Sequence, residues 1–123
     1  MLLDNYFYIE KQEKDEEDFL FLVRLNTEHP IFNGHFPGNP ISPGVCNIQM
    51  IKECAERIMG CQLRLDNIKQ CKFSNLIIPS SELRITISIR LQQIEGDRIK
   101  LHGIISTGDI KNTELKAEGK MIL

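Results

Sequence analysis

The residues with the clearest chemical potential lie in one stretch, His35-Phe36-Pro37-Gly38-Asn39-Pro40-Ile41-Ser42-Pro43-Gly44-Val45. Its imidazole sits beside an aromatic ring and among prolines. Partial desolvation and a fixed orientation are therefore expected, and both favour a neutral ring that accepts a proton. At the far end of the stretch, Gly44 and Val45 stand where a helix is predicted to begin. The first N–H groups of a helix lack intrahelical partners and the positive end of the dipole emerges there, so such a terminus holds an anion or a developing oxyanion. One well-aimed donor of this kind contributes on the order of 3 kcal/mol of transition-state stabilisation. A loop histidine and a helix start are ordinary features separately; their closeness in an apolar, proline-constrained loop marks the segment.

Other reactive side chains carry less. Cys46, Cys54, Cys61 and Cys71 contain no C-x-x-C pair, and their mostly apolar neighbours read as reduced packing residues in a reducing compartment. His29 and His35 have no nearby carboxylate cluster or thiol pair, so no metal or other cofactor is expected.

The elements that must position the segment follow from periodicity. From Glu28 to Gly44, Pro30, Pro37, Pro40 and Pro43 alternate with Gly34, Gly38 and Gly44, which predicts a long loop without regular structure, laid on the core by Ile31, Phe32, Phe36 and Ile41. Val45–Met59 then lacks Pro and Gly and repeats Ile48, Ile51, Ala55 and Ile58 on one helical face, with Gly60 as the C-terminal cap. Before the loop, Tyr6–Glu10 and Phe19–Leu25 read as strands joined by a solvated charge run over residues 11–18. After the helix, Ile68–Phe73, Glu82–Gln92, Arg98–Thr107 and Glu114–Ile122 alternate as strands, with turn signals at Glu95-Gly96-Asp97 and Gly108-Asp109. Two strands, one helix and four strands predict an α+β domain over residues 1–123, a curved antiparallel sheet wrapped round one central helix.

His35 to Val45 resembles the H-F-P-G-x-P-x-x-P-G-V signature of the hot-dog-fold 3-hydroxyacyl-acyl carrier protein dehydratases, and Phe32-x-Gly34 extends the match to ten specified positions. Phe73 followed by Pro79 is similar to that family's strand-to-loop passage, although Pro79-Ser80-Ser81-Glu82 stands where the family often has Pro-Gly-Asp. The resemblance implies dehydration of a 3-hydroxyacyl thioester to a trans-2-enoyl thioester. His35 would take the α-proton, and the Gly44 and Val45 amides would polarise the carbonyl. It also implies an acyl carrier protein or acyl-CoA thioester as substrate, and a dimer whose sites straddle two chains.

One position departs from the pattern. The family places Glu or Asp fourteen residues after the histidine, where this chain has Gln49. An amide orients a hydroxyl or a water but does not donate a proton as a carboxylic acid does. The loss of a positioned acid is worth about 3 to 5 kcal/mol in the barrier. Glu53, one turn on, is the alternative acid, but a shift of about 6 Å along the axis exceeds what site geometry tolerates. A solvated stripe of Lys52, Glu53, Glu56 and Arg57 is the expectation instead.

Phe32, Phe36, Ile41 and Phe73 are candidates to line an acyl channel, and Arg64, Lys69 and Lys72 to meet an acidic carrier. Three readings stay open: a dehydratase, a half-site subunit that takes its acid from another hot-dog chain, and a thioesterase on the same fold. Lys+Arg 15 against Asp+Glu 17 gives a net charge of −2, which argues against nucleic acid or an anionic membrane as partner. No apolar run approaches the roughly 20 residues of a membrane helix, and Met1-Leu2-Leu3-Asp4 has no secretory pattern, so the cytoplasm is the expected location.

Overall fold

The computed structural model describes residues 1–34 and 38–123. Among the described residues, six strands form one antiparallel sheet: β1 (Phe7–Asp15), β2 (Asp18–Leu25), β3 (Gln62–Phe73), β4 (Ile85–Gln93), β5 (Arg98–Thr107) and β6 (Ile110–Ile122). Their order across the sheet is β1-β2-β4-β5-β6-β3. Two helices, α1 (Ile31–Gly34) and α2 (Gly44–Met59), come between β2 and β3. This is the expected hot-dog arrangement, with the sheet curved round α2.

Period-two alternation sets which side of the sheet meets the helix. In β4, Ile85, Ile87 and Ile89 are fully buried while Thr86, Ser88 and Arg90 alternate on the other face. Each such buried side chain contributes about 1.5–3 kcal/mol. The helix answers with Met50, Ile51, Cys54 and Ala55, all fully buried. The two layers approach closely because β5 has no side chain at Gly103, where an added Cβ would stand 2.4 Å from Ile51 Cγ2. Gly60 ends α2 in the left-handed conformation, φ 73°, and its N–H donates to the Glu56 carbonyl at 2.8 Å.

Three expectations about the elements are corrected. The charge run over 11–18 is mostly strand, since β1 runs to Asp15 and only Glu16 and Glu17 turn. An edge strand exposed on both faces needs no apolar alternation, and charges protect it from unwanted pairing. Lys14 gains a partner there, its Nζ lying 5.3 Å from the centre of the Phe19 ring. The loop after β2 contains a helical turn, α1, because Pro30 suits a helix start and its carbonyl accepts from Asn33 N–H at 3.0 Å. Finally, β3 begins at Gln62 rather than Ile68, β4 at Ile85 rather than Glu82, and β6 at Ile110 rather than Glu114. Two register shifts in the β3–β6 ladder, at Leu65/Asn67 and Ile68/Gln70, obscure the alternation of β3. Among the described residues, no helix is long and apolar enough to cross a membrane.

Candidate functional site

The start of α2 is built to leave its first amides free. Pro43 occupies the cap position in extended conformation (φ −62°, ψ 146°) and no side chain caps the helix. The Pro43 carbonyl accepts from Cys46 and Asn47 at 3.0 and 3.1 Å, whereas the Gly44 and Val45 N–H groups meet no acceptor among the described residues. Phe73 packs closely over Gly44: an added Cβ would lie 2.9 Å from Phe73 Cζ, so any side chain there displaces that half-exposed ring. Val45 is 74% exposed and Gly44 half-buried, so this first turn of α2 lies at the surface of the chain.

A buried chain of hydrogen bonds holds this terminus in place. Ser42 Oγ donates to Asn47 Oδ1 at 2.7 Å, and Asn47 Nδ2 donates to Thr113 Oγ1 of β6 at 3.3 Å. Because the Ser42 hydrogen is used on Asn47, the Tyr6 phenol must donate to Ser42 Oγ in their short contact. Burial pushes the Tyr6 hydroxyl well above its ordinary range, against a smaller opposing effect of Ser42, and keeps it a donor. Tyr6, Ser42, Asn47 and Thr113 are all buried, so each bond replaces one that water cannot supply. None of the four was a sequence candidate. Asn47 carries the one local signal, a polar residue four positions before Ile51 on the apolar face of the helix.

The loop between β3 and β4 is pinned beside the same terminus. Ser42 N–H donates to the Ile77 carbonyl at 2.8 Å, and Asn112 Nδ2 donates to the Leu76 carbonyl at 3.3 Å. His29 turns its ring edge to Tyr6, with centroids 5.3 Å apart, and its Nδ1 accepts from Ile31 N–H at 3.1 Å.

Of the sequence-predicted residues, Gly44, Val45 and Phe73 come together at the helix start. His35 and Phe36 lie outside the described residues. Phe32 is buried against Tyr6, with ring centroids 5.4 Å apart, Ile41 is half-buried, and Phe73 is 52% exposed. A cavity of about 930 Å³ lies on the outer face of the sheet among Lys14, Arg90, Lys100, His102 and Lys116, and Phe32, Ile41 and Phe73 are not among the residues that line it.

The expected solvated stripe on α2 is overturned at Glu53, which is only 3% exposed. Its carboxylate accepts from Leu2 N–H, Leu3 N–H and Gln49 Nε2 at 2.8–3.0 Å, donors that satisfy a buried charge. Lys52 and Glu56 pair at 3.1 Å, and Glu56 also accepts from Leu63 N–H at 2.8 Å. Among the described residues, no group of three or more His, Cys, Asp and Glu side chains converges as metal ligands.

Comparison with known proteins fits this geometry. The family model of the ApeI-like proteins, described as ApeI dehydratase, matches residues 11–105. The 3-hydroxyacyl-[acyl-carrier-protein] dehydratase FabZ of Thermoanaerobacter sp. (strain X514) is 26% identical over 116 residues, covering 89% of this chain and 78% of that protein. Among solved structures, the dehydratase heterocomplex ApeI:P from Xenorhabdus doucetiae superposes with a TM-score of 0.77 at 18% identity, over 92% of this chain and 96% of that one. The fluoroacetyl-CoA thioesterase FlK shares the fold with a TM-score of 0.68 at 16% identity, over 91% and 90% of the two chains. The family match spans most of the chain, including the start of α2, and the chain belongs to the ApeI-like dehydratase family.

Proposed function

We propose that this dehydratase removes water from a 3-hydroxyacyl thioester, carried on acyl carrier protein or coenzyme A, to give a trans-2-enoyl thioester. The observation that carries the reading is the uncapped start of α2, where the Gly44 and Val45 amides are left without acceptors among the described residues, directly after the His35 loop. Negative charge that builds on the thioester oxygen as the α-proton leaves is stabilised by those donors without reorganisation. His35 is the base; its role rests on the sequence motif. Gln49 orients the departing hydroxyl, and Phe32, Phe36, Ile41 and Phe73 border the acyl group.

Two such chains, identical or different, make the working unit. The 12-residue β3 lies at a sheet edge, with Ile68 and Phe73 exposed on it and Leu76 and Ile78 exposed just after it. An edge with that much unpaired backbone and apolar surface favours closure by a second hot-dog chain. The ApeI:P structure, a dehydratase heterocomplex that contains a chain of this fold, supports a mixed pair as the second reading. A partner chain then supplies the acid that Gln49 does not.

The test offers purified chain a 3-hydroxyacyl thioester and follows both the conjugated enoyl product and free thiol. Enoyl formation that disappears in His35→Ala supports the proposal, and thiol release without enoyl product refutes it in favour of a thioesterase. Enoyl formation that appears only on mixing with a second hot-dog chain identifies the half-site arrangement.

A further inference from the structure

The Glu53 carboxylate lies one helical turn from Gln49 and is closed to solvent. Its Oε1 accepts from Leu2 N–H at 3.0 Å and Leu3 N–H at 2.8 Å, and its Oε2 accepts from Leu2 N–H at 2.8 Å and Gln49 Nε2 at 2.9 Å. Every contact brings a hydrogen to an oxygen. A Gln49 amide turned over would set its own oxygen against Oε2, two acceptors with no proton between them. The two orientations of this amide are therefore unequal, unlike those of an exposed glutamine.

We propose that Glu53 is a positioning residue that fixes the Gln49 amide with its nitrogen bound to the carboxylate and its carbonyl oxygen turned away, so that position 49 meets substrate as a hydrogen-bond acceptor. The inference rests on the proposed reaction for its consequence, in which the substrate's 3-hydroxyl donates to that oxygen. Position 49 then orients the hydroxyl and does not protonate it. Glu53 does not replace the missing acid either, since both of its oxygens are occupied by donors from Leu2, Leu3 and Gln49.

The arrangement also determines what a restored acid would do. In Gln49→Glu the new carboxyl faces an anion at hydrogen-bond distance, so its proton is held by Glu53 Oε2 and is withheld from a departing hydroxyl. Exchanging the two residues, Gln49→Glu with Glu53→Gln, keeps the hydrogen bond with its polarity reversed: Gln at 53 donates to Glu at 49, its Oε1 still accepts from Leu3, and Leu2 N–H, which in the wild type is shared between both oxygens, turns wholly onto Oε1. The new acid is then free to serve substrate.

The experiment compares wild type, Gln49→Glu and the exchanged double variant by enoyl formation, and reads the Gln49 side-chain amide protons by NMR in wild type and Glu53→Ala. Positioned acids contribute about 10²–10⁴-fold. The expected result is a kcat gain of about 10-fold or more in the double variant, below about 3-fold in Gln49→Glu, with KM nearly constant. Wild-type Gln49 amide protons exchange slowly and lose that protection in Glu53→Ala. Equal rates in the single and double variants of an active enzyme, or Gln49 protons exchanging as fast as those of exposed Gln62, overturn the proposal. A wild type that turns over no thioester, either alone or mixed with a second hot-dog chain, refutes the reaction itself, and the amide protons alone then decide the orientation.

Discussion

Ser42→Ala tests how the start of α2 is held, because it removes the middle of the chain Tyr6–Ser42–Asn47–Thr113. The loss orphans the Tyr6 O–H, whose residue is fully buried, and the Asn47 Oδ1, whose residue is 4% exposed. An unsatisfied buried group costs about 1–3 kcal/mol, so the variant is expected to lose about 3 kcal/mol. In a domain of this size that is a fall in Tm of roughly 10 °C. Tyr6→Phe takes away only a donor to Ser42, which still donates to Asn47, and costs about 1 kcal/mol. In the double variant the phenol that needed an acceptor is gone. Its loss is expected to fall about 2 kcal/mol short of the sum of the single losses, leaving it more stable than Ser42→Ala alone. Urea unfolding at constant m measures all four proteins. Single losses that add to within about 0.5 kcal/mol would refute the directional chain.

Three further outcomes follow from other parts of the fold. Gly103→Ala forces a methyl to within 2.4 Å of Ile51 Cγ2 and is expected to cost about 1–3 kcal/mol in urea unfolding, and in the double variant with Ile51→Ala the loss is expected to fall short of the sum of the two single losses. The hydrogen bond from His102 at 2.7 Å, and then that from Lys111, lower the Glu114 carboxyl from 4.5 to about 2. Because the folded value is the depressed one, this contribution is complete above pH 4.5 and fades as pH falls toward 2; the acid-unfolding curve of Glu114→Gln should lack that component. Burial pushes the Cys54 thiol up to about 12, so alkylation of the native protein at pH 8 is expected to label half-buried Cys61 and spare Cys54. Rapid labelling of Cys54 would contradict its place in the core.

The parts of the molecule that a local pattern can express were readable from the chain. Ile51 and Ala55 announce the buried face of α2, Ile85, Ile87 and Ile89 announce the inner face of β4, and Pro43-Gly44 announces the helix start. Long-range pairing hid the rest. Glu53 reads as a solvent residue because the backbone donors that allow its burial come from Leu2 and Leu3, some fifty positions away. The bond between Asn47 and Thr113 crosses 66 positions, and neither residue type advertises it. Residues 11–15 conceal a strand because an edge exposed on both faces has no period to display. His35 and Phe36, the motif's most specific residues, lie outside the described residues.

The central claim is that a base at position 35 and the donors at the start of α2 move a proton at the carbon next to a thioester carbonyl. Running the reaction in reverse in D2O tests it most directly, with the hydrated product of an enoyl thioester read by mass spectrometry and NMR. The expected product is a 3-hydroxyacyl thioester carrying one solvent deuterium on C2, formed by the chain alone or with its partner hot-dog chain and absent with His35→Ala. A His35→Ala protein that deuterates C2 as fast as the wild type would contradict the account.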